Sequence, residues 1–427
     1  MPSVARRRIA FVLSAVYALV SAGLPVAHAA SSQVEIVSVT STGRLGDQSV
    51  GFSCDDIRPQ ISGDGRFVAF SSAARNLRNA PQEFFAVDYI YVRDRSTRQT
   101  ILVSVPTVVL PDNKQRSSCN PRISRSGRYV LFDSRSDVMV SNDRRVGADC
   151  FARDLSQNRT ALVSVSSAGV QGNGDCVASS ISSTGRFILF SSKASNLISG
   201  DTNGKADLFL RDTQTNSTVR VSIGNGGVQG TGVSDVGIAS TDGRYVAFQS
   251  ASNNLVSGFT GNGVYLLDRS TSRVIGLNRL NGEVFTAKLG AMSDDGRYIG
   301  INGWYGYAYM FDRQSGRLSP LLSIGGKNPK SVAITGISAD GRFVSFTSGE
   351  ANLTTDDRNG KLDAFVLDRN SNSIRLASIT PSRIQATRTG SESGGISNNG
   401  NIVPFWSQED FVAGDTNGFD DAFVSVK

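Results

Sequence analysis

Histidine is almost absent from this chain: its 427 residues include one, His28. His28 lies in an N-terminal segment that is expected to be cleaved, so the remaining chain cannot build a Ser-His-Asp triad or an imidazole metal site. It also lacks the usual general base of enzymes that work near neutral pH. Carboxylate-only chemistry, as in glycosidases, remains possible. The sequence therefore disfavours the commonest enzyme classes.

Long hydrophobic runs are equally scarce, and the one candidate lies at the N-terminus. Three arginines precede the apolar stretch Ile9–Leu24, and Ala27-His28-Ala29 has the small residues of a cleavage site. This order predicts a signal peptide over residues 1–29, with a retained membrane anchor as the alternative. Residues 30–427 would then form one exported domain, periplasmic or secreted, with no integral membrane segment after cleavage.

Strong charge of either sign is also missing. The chain carries a net charge of +7, and the predicted signal peptide holds three arginines and no acids, so the exported part has 7 − 3 = +4. That excess is spread out without a basic run, and we therefore do not expect nucleic acid as a partner.

A ten-residue phrase with a central glycine recurs seven times at a spacing of 45 to 62 residues. The copies are ISGDGRFVAF at Ile61, ISRSGRYVLF at Ile123, ISSTGRFILF at Ile181, ASTDGRYVAF at Ala239, MSDDGRYIGI at Met292, ISADGRFVSF at Ile337 and ISNNGNIVPF at Ile396. Self-similarity at this period is typical of repeat folds, in which each unit buries its apolar face against its neighbours.

The third copy shows how one repeat is expected to fold. Short β-rich segments cover Val177–Ile181, Arg186–Ser191, Asp207–Asp212 and Thr218–Ile223, and the first two meet at a tight turn around Gly185. No segment of the exported part has helical periodicity. The sequence therefore predicts an all-β, seven-bladed β-propeller of four-stranded antiparallel blades.

The seventh copy ends after its third strand, near Ala422–Lys427. Val34–Thr40 has the character of a fourth strand, so we expect the last blade to be closed by the N-terminal strand. The fifth copy is irregular, because Ile299–Tyr309 connects its second and third strands without a long loop.

Each of the first six copies has an arginine directly after the turn glycine and an aspartate at the end of the third strand. These groups lie on antiparallel neighbouring strands, which predicts ion pairs along one rim. Exposed pairs add little stability, and nearby acids argue against an arginine-rich binding ring. The aromatic residue that follows each arginine is expected to fill the space between blades.

These motifs resemble the TolB-like β-propeller repeats of exported bacterial proteins. The matching features are I-S-x-D-G-R-[FY]-V-x-F, S-G-D-T-N-G-x-x-D-[AL]-F-[VL] and V-S-[VI]. The resemblance implies an exported, usually non-enzymatic propeller that binds other molecules. TolB itself carries an additional N-terminal α/β domain, which has no counterpart here.

The loop before the third strand contains the pattern D-x-N-G-x-x-D three times. Its polar residues are Asp201, Asn203 and Asp207; Asp357, Asn359 and Asp363; and Asp415, Asn417 and Asp421. Alternating carboxylate and amide oxygens on a turning loop suit calcium. The same residues also form structural Asx-turns, and the match to an EF-hand loop is incomplete.

Four cysteines in an exported chain predict two disulfides, with three possible connectivities. Cys54, Cys119 and Cys176 precede the first strands of the first three blades, and Cys150 begins a third strand. We favour Cys54–Cys119 and Cys150–Cys176, which join neighbouring blades.

The face built from the fourth-to-first and second-to-third connections is the predicted binding face. Its candidate ligand-binding residues are Asp55, Asp56, Asp175, Asp235 and Glu392 near the channel, with Phe259, Trp304 and Tyr305 farther out. Exposed aromatics would suggest a peptide or sugar platform, and buried ones would pack under a loop.

The favoured function is an exported binding or scaffold module for an unknown protein, peptide or glycan. One alternative is a polysaccharide hydrolase or lyase that uses channel carboxylates about 5–10 Å apart. The other is a structural component of the cell envelope with a large exposed apolar patch.

Overall fold

The computed structural model describes residues 33–54, 56–78, 87–107, 116–323 and 328–427. The predicted signal peptide, residues 1–29, and the candidate ligand residue Asp55 lie outside these ranges. No helix among the described residues is long and apolar enough to cross a membrane.

The described residues form thirty strands. The N-terminal strand and blade one comprise β1 (Gln33–Ile36), β2 (Gln60–Ile61), β3 (Phe67–Ser72), β4 (Tyr89–Asp94) and β5 (Gln99–Leu102). Blade two comprises β6 (Ser118–Ile123), β7 (Tyr129–Ser134), β8 (Asp149–Asp154) and β9 (Arg159–Leu162). Blade three comprises β10 (Cys176–Ile181), β11 (Phe187–Ser192), β12 (Asp207–Asp212) and β13 (Ser217–Arg220). Blade four comprises β14 (Gly237–Ala239), β15 (Tyr245–Ser250), β16 (Gly263–Asp268) and β17 (Arg273–Gly276).

A two-stranded hairpin, β18 (Arg279–Leu280) and β19 (Glu283–Val284), separates blades four and five. Blade five comprises β20 (Ala287–Met292), β21 (Tyr298–Gly303), β22 (Ala308–Asp312) and β23 (Arg317–Pro320). Blade six comprises β24 (Val332–Ile337), β25 (Phe343–Ser348), β26 (Asp363–Asp368) and β27 (Ser373–Leu376). Blade seven contains β28 (Ser391–Ser393), β29 (Ile402–Ser407) and β30 (Asp421–Val426). Short 3-10 helices cover Arg75–Arg78, Asn225–Gly227 and Trp304–Gly306.

Each blade is a four-stranded antiparallel sheet, and the seventh is completed by β1 in the order β1-β30-β29-β28. Gln33 pairs with Val426 and Ile36 with Phe423. The next backbone amide, that of Val37, donates to the carbonyl of Ala422 at 2.8 Å. The seven-bladed, all-β architecture and its closure by the N-terminal strand are therefore confirmed.

The core is divided among the blade interfaces. Seven clusters of buried apolar residues are present in the described chain, and each combines residues of two neighbouring blades. The cluster that joins blades seven and one contains Val37, Val68, Phe70, Ala422 and Val424. Apolar burial thus stabilises the ring as a whole, because no blade has a separate core.

The repeated turn is built by side chains bonding to nearby backbone. In blade one the Ser62 hydroxyl donates to the Asp64 carboxylate at 2.5 Å and accepts from the Phe67 amide at 2.9 Å. The same carboxylate accepts from the Arg66 amide at 3.0 Å. These bonds are the physical basis of the I-S-x-D-G-R phrase, because they form between residues of a single repeat.

The turn glycine has two functions. Gly185 has a φ of +77°, and a Cβ there would lie 2.2 Å from the ring of Tyr129 in the preceding blade. Gly243 is related in the same way to Phe187, with a φ of +68° and 2.6 Å. Glycine is required both for the left-handed backbone and for close packing of the aromatic residue between blades.

The six predicted arginine–aspartate pairs all form, with shortest N–O distances of 2.6 to 3.1 Å. Each guanidinium also lies over the aromatic ring that follows it in sequence, 4.6 to 4.8 Å from the ring centroid. The pairs are Arg66–Asp94, Arg128–Asp154, Arg186–Asp212, Arg244–Asp268, Arg297–Asp312 and Arg342–Asp368.

Both favoured disulfides are present. Cys54–Cys119 joins blades one and two with a Cα–Cα distance of 5.4 Å, and Cys150–Cys176 joins blades two and three at 5.7 Å. No other described cysteine remains.

Candidate functional site

The inner edge of blades one and two carries a charge cluster. The Asp56 carboxylate accepts hydrogen bonds from Arg58 Nε at 2.8 Å and from Arg122 Nη2 at 2.9 Å. Burial alone would raise the pKa of Asp56, but the charges of Arg122 and Arg58 outweigh it and hold the pKa well below its usual range. Asp56 is therefore a permanent anion that fixes two arginines.

The other candidate carboxylates near the channel have separate partners. Asp175 pairs with Arg145 Nη1 at 3.1 Å, and Asp235 accepts from Gln249 Nε2 at 3.5 Å. Glu392, in β28, contributes to the electrostatic environment of Arg58. The described contacts thus do not bring these acids together as one catalytic pair.

Arg125 links several blades at the repeated turns, on the side of the propeller opposite Asp56. Its side chain leaves blade two and reaches three other blades: Nε donates to Asp294 at 3.1 Å, and Nη1 to the Ile396 carbonyl at 2.9 Å. Its Nη2 donates to the Ile337 carbonyl. Backbone hydrogen bonds between the repeated turns extend these links, for example from Gly63 to Arg125 at 2.8 Å.

Replacing Arg125 by alanine is expected to lower the free energy of unfolding by about 2–4 kcal/mol, because it leaves carbonyls and a carboxylate of three blades without their charged donor. Denaturant unfolding checks this value. Arg128→Ala is the control, since it removes one exposed rim pair and should change stability much less. Equal losses in the two variants would contradict the role assigned to Arg125.

Blade five presents an exposed aromatic surface. Trp304 and Tyr305 lie on the short connection between β21 and β22, with 62% and 78% of their surface exposed. Their rings meet edge to face, with centroids 6.1 Å apart. The other aromatic candidate on this face, Phe259, is buried and packs on Tyr265. It therefore has the packing role that was predicted for a buried aromatic residue and is no part of an exposed platform.

The turn that presents these rings is strained and held in place by neighbours. Tyr305 has a φ of +64°, in the left-handed region that side chains with a Cβ seldom adopt. The Trp304 amide donates to the Thr286 carbonyl at 3.0 Å, and the Gly303 amide to the Tyr307 carbonyl at 2.7 Å.

A shallow groove of about 480 Å³ adjoins this turn. Its lining residues are Leu280, Tyr307, Tyr309, Pro320, Asn328 and Lys330. The Lys330 ammonium lies 6.0 Å from the ring centroid of Tyr307. Gly306 packs tightly against the backbone of Lys330 and Ser331, so the exposed turn and the groove form one continuous surface, the blade-five surface.

The aspartate loop of blade three has internal partners for its carboxylates. Gln229 Nε2 donates to Asp201 at 2.9 Å and to Asp207 at 3.2 Å, and Arg220 lies 3.4 Å from Asp207. Asn203 donates to Asp207 at 3.0 Å. These contacts favour the structural-turn interpretation in this blade. Nowhere in the described ranges do three or more His, Cys, Asp or Glu side chains form a group that could hold a metal ion.

Sequence reasoning missed the groove and the arginines. Arg125 occupies the variable position of the repeated phrase, where nothing distinguishes it from an exposed turn residue. Tyr307 and Tyr309, at β22, are brought together with Lys330, which precedes β24. The missing loop of blade five was the only sequence signal of an unusual surface at this place.

No family model and no curated protein matches the sequence, so the TolB-like resemblance stays a prediction at the level of family. Solved structures with the same fold include an oligogalacturonate lyase from Vibrio parahaemolyticus, with 13% identity, a TM-score of 0.54, and coverage of 93% of this chain and 97% of that chain. An oligogalacturonate lyase in complex with manganese is 12% identical, with a TM-score of 0.51 and 89% of each chain covered.

The β-propeller domain of the trilobed protease from Pyrococcus furiosus is 14% identical, with a TM-score of 0.50 and coverage of 85% of this chain and 90% of that chain. That domain has an open velcro topology, whereas the present ring is closed by pairing of β1 with β30. At these identities the likeness shows a shared fold and nothing finer. By its architecture, this chain is a β-propeller protein.

Proposed function

We propose that this protein is an exported, non-enzymatic propeller that binds a glycan on the blade-five surface. The observation that carries the proposal is the exposure of Trp304 and Tyr305 on a turn where other blades have a longer loop. Export is supported by the two disulfides, which persist in oxidising compartments.

The turn is unfavourable for stability, which favours a functional role. Exposing two large rings forgoes apolar burial, and the left-handed backbone of Tyr305 costs on the order of 1 kcal/mol. Strained backbone of this kind clusters at ligand-binding sites, where the surrounding structure holds it in place.

The chemistry of the surface suits sugar rings better than a flat protein partner. Tyr307 and Tyr309 offer aromatic faces to the apolar side of a pyranose, and Lys330 and Asn328 offer donors to its hydroxyl or carboxylate groups. Two of the fold neighbours are oligogalacturonate lyases, so this fold can accommodate a carbohydrate ligand.

Two acids among the described residues, Asp56 and Asp133, do not suit the hydrolase or lyase alternative. Asp56 is held ionised by Arg58 and Arg122 and cannot donate a proton near neutral pH. Burial raises the pKa of Asp133 to about 6, but this carboxylate is buried and accepts from Asn120 and the Ala178 amide. Its bonds indicate a structural role between blades two and three.

Binding of polygalacturonate, galactan and glucan oligosaccharides to the purified protein tests the proposal by isothermal titration calorimetry. For a glycan that binds, Trp304→Ala and Tyr305→Ala are each expected to raise the dissociation constant about 10- to 100-fold. The reason is that each substitution removes an aromatic ring that is exposed in the free protein and becomes buried on binding. Phe52→Ala is the matched control, because Phe52 is 61% exposed on blade one and should leave binding unchanged.

The proposal fails if none of these glycans binds, or if Phe52→Ala and Trp304→Ala weaken binding equally. Release of shorter oligosaccharides during the titration, followed as new reducing ends or unsaturated products, would instead establish the enzymatic alternative.

A further inference from the structure

Four blades carry two buried aspartates at the entrance of the third strand. In blades two, three, six and seven the first aspartate lies in the loop and the second begins or adjoins the strand. The pairs are Asp143 and Asp149, Asp201 and Asp207, Asp357 and Asp363, and Asp415 and Asp421. Their carboxylates are almost entirely buried, so each pair of negative charges needs compensation.

Blades two and three compensate the charges with an arginine and a glutamine. In blade two Arg145 lies 3.4 Å from Asp149, and Gln171 Nε2 bridges Asp143 at 2.7 Å and Asp149 at 3.0 Å. In blade three Arg220 and Gln229 have these two roles. The two arginines come from different positions in sequence, yet both bring a positive charge to the pair.

Blade six retains the acids and lacks both partners. Ser222 in blade three and Ser378 in blade six each donate to the second aspartate at 2.6 Å, which aligns the two blades. Two residues before the serine, Leu376 occupies the position of Arg220. Gln385 occupies the position of Gln229 but donates to the Asp356 carbonyl at 3.0 Å and does not bridge the acids.

The result is a set of buried carboxylate oxygens without partners. Both oxygens of Asp357 and Oδ2 of Asp363 have no hydrogen bond, although these residues are only 6% and 0% exposed. Burial raises the pKa of Asp357, and the backbone amide of Asn359, which lies near the carboxylate, opposes this increase. Burial likewise raises the pKa of Asp363 to about 7, although the Ser378 hydroxyl and the nearby Asn359 side chain lower it, and the charge of Asp357 adds to the increase.

We propose that Asp357 and Asp363 bind one hard divalent cation, in the place where blade three has the guanidinium of Arg220. Unpaired carboxylate oxygens are the ligands that Ca²⁺ and Mg²⁺ prefer, and sites with one or two carboxylates complete their coordination with water. The glycine of the loop, Gly360, has a φ of +64° and gives the tight turn that brings the acids together. This site is independent of the blade-five surface.

Blade seven has the same arrangement in a weaker form. Ile36 and Leu45 stand where blade three has Arg220 and Gln229, but Asp421 accepts from Ser38 and Asn417. Among the described atoms of this pair, one buried carboxylate oxygen has no hydrogen bond, Oδ1 of Asp415. Blade six therefore has the buried negative charge that most needs a bound cation to compensate it.

The test is cation binding by the purified chain after treatment with EDTA, at pH 7.5. Calorimetric titration with Ca²⁺, Mg²⁺ or Mn²⁺ is expected to show binding at one site. Thermal unfolding is then expected to show a melting temperature about 2–5 °C higher when the cation is at a hundredfold excess over its dissociation constant. Sodium chloride at equal ionic strength is the salt control. Comparison of the three ions identifies which one the site prefers.

Variants assign the site to blade six. Asp357→Asn is expected to reduce the binding stoichiometry by one and to remove most of the rise in melting temperature. This variant should fold at least as well as the cation-free protein, because it removes one of two buried charges. Leu376→Arg, which copies blade three, is expected to abolish the response in the same way. Asp201→Asn in blade three is the matched control and should leave cation binding unchanged.

Three results would overturn the proposal. One is an unchanged heat and melting temperature at millimolar concentrations of all three cations. Another is a cation response that persists in Asp357→Asn. The third is a cation-free protein that becomes more stable on mild acidification and does not respond to cations, because a proton then compensates the pair.

Discussion

Val37→Asp is expected to lower the free energy of unfolding by about 4 kcal/mol or more, enough to prevent folding of a marginally stable chain. Val37 is fully buried between blades seven and one, and its amide pairs with Ala422 of β30. A carboxylate there would be desolvated without a partner and would separate β1 from the ring. Guanidinium unfolding followed by fluorescence measures the effect, with Trp406 in β29 as a reporter opposite Ala422.

Gln33→Asp is the matched control, because it introduces the same charge into the same strand at an exposed position. We expect it to leave the unfolding midpoint nearly unchanged. If the two variants were equally stable, β1 would contribute little to the closure, and the ring would have to hold its ends together in another way.

Loss of the disulfides is the second large effect. The Cys54–Cys119 bond closes 65 residues and the Cys150–Cys176 bond closes 26. Loop-closure entropy assigns about 4 kcal/mol to the first bond and about 3.5 kcal/mol to the second. Double alanine variants of each pair are expected to lower the free energy of unfolding by these amounts, measured by denaturant titration.

A reductant provides the independent check. It should destabilise the natural chain to a similar extent and leave a variant without any cysteine unaffected. A natural chain that keeps its unfolding midpoint after complete reduction, verified by thiol titration, would show that the two bonds contribute no stability.

Most of the fold was predictable because each repeat encodes its own local structure. The bonds of Ser62 and Asp64 to nearby amides form within six residues of chain. A short run of β-branched and aromatic residues then specifies the strand that follows. Strand ends were predicted less well: the fourth strand of blade three ends at Arg220, earlier than the predicted Ile223.

The candidate site was predictable in part. The unusual connection of blade five directed attention to Trp304 and Tyr305, whose exposure the structure shows. The acids near the channel were predicted as a group, but Asp56 and Asp175 pair with different arginines. Pairing depends on which side chains of other blades lie within reach, and spacing in one repeat does not contain that information.

By itself, the sequence determined the number of blades, the antiparallel sheets, the rim ion pairs and the closure by an N-terminal strand. These features follow from short-range periodicity and from the missing fourth strand of the last repeat. Only the tertiary structure decided the electrostatic partners: Arg125 meets Ile396 across 271 residues, and Leu376 stands where Arg220 neutralises the aspartates of blade three. Such contacts depend on register and ring closure, because desolvation and pairing act between side chains that are distant in the chain and adjacent in space.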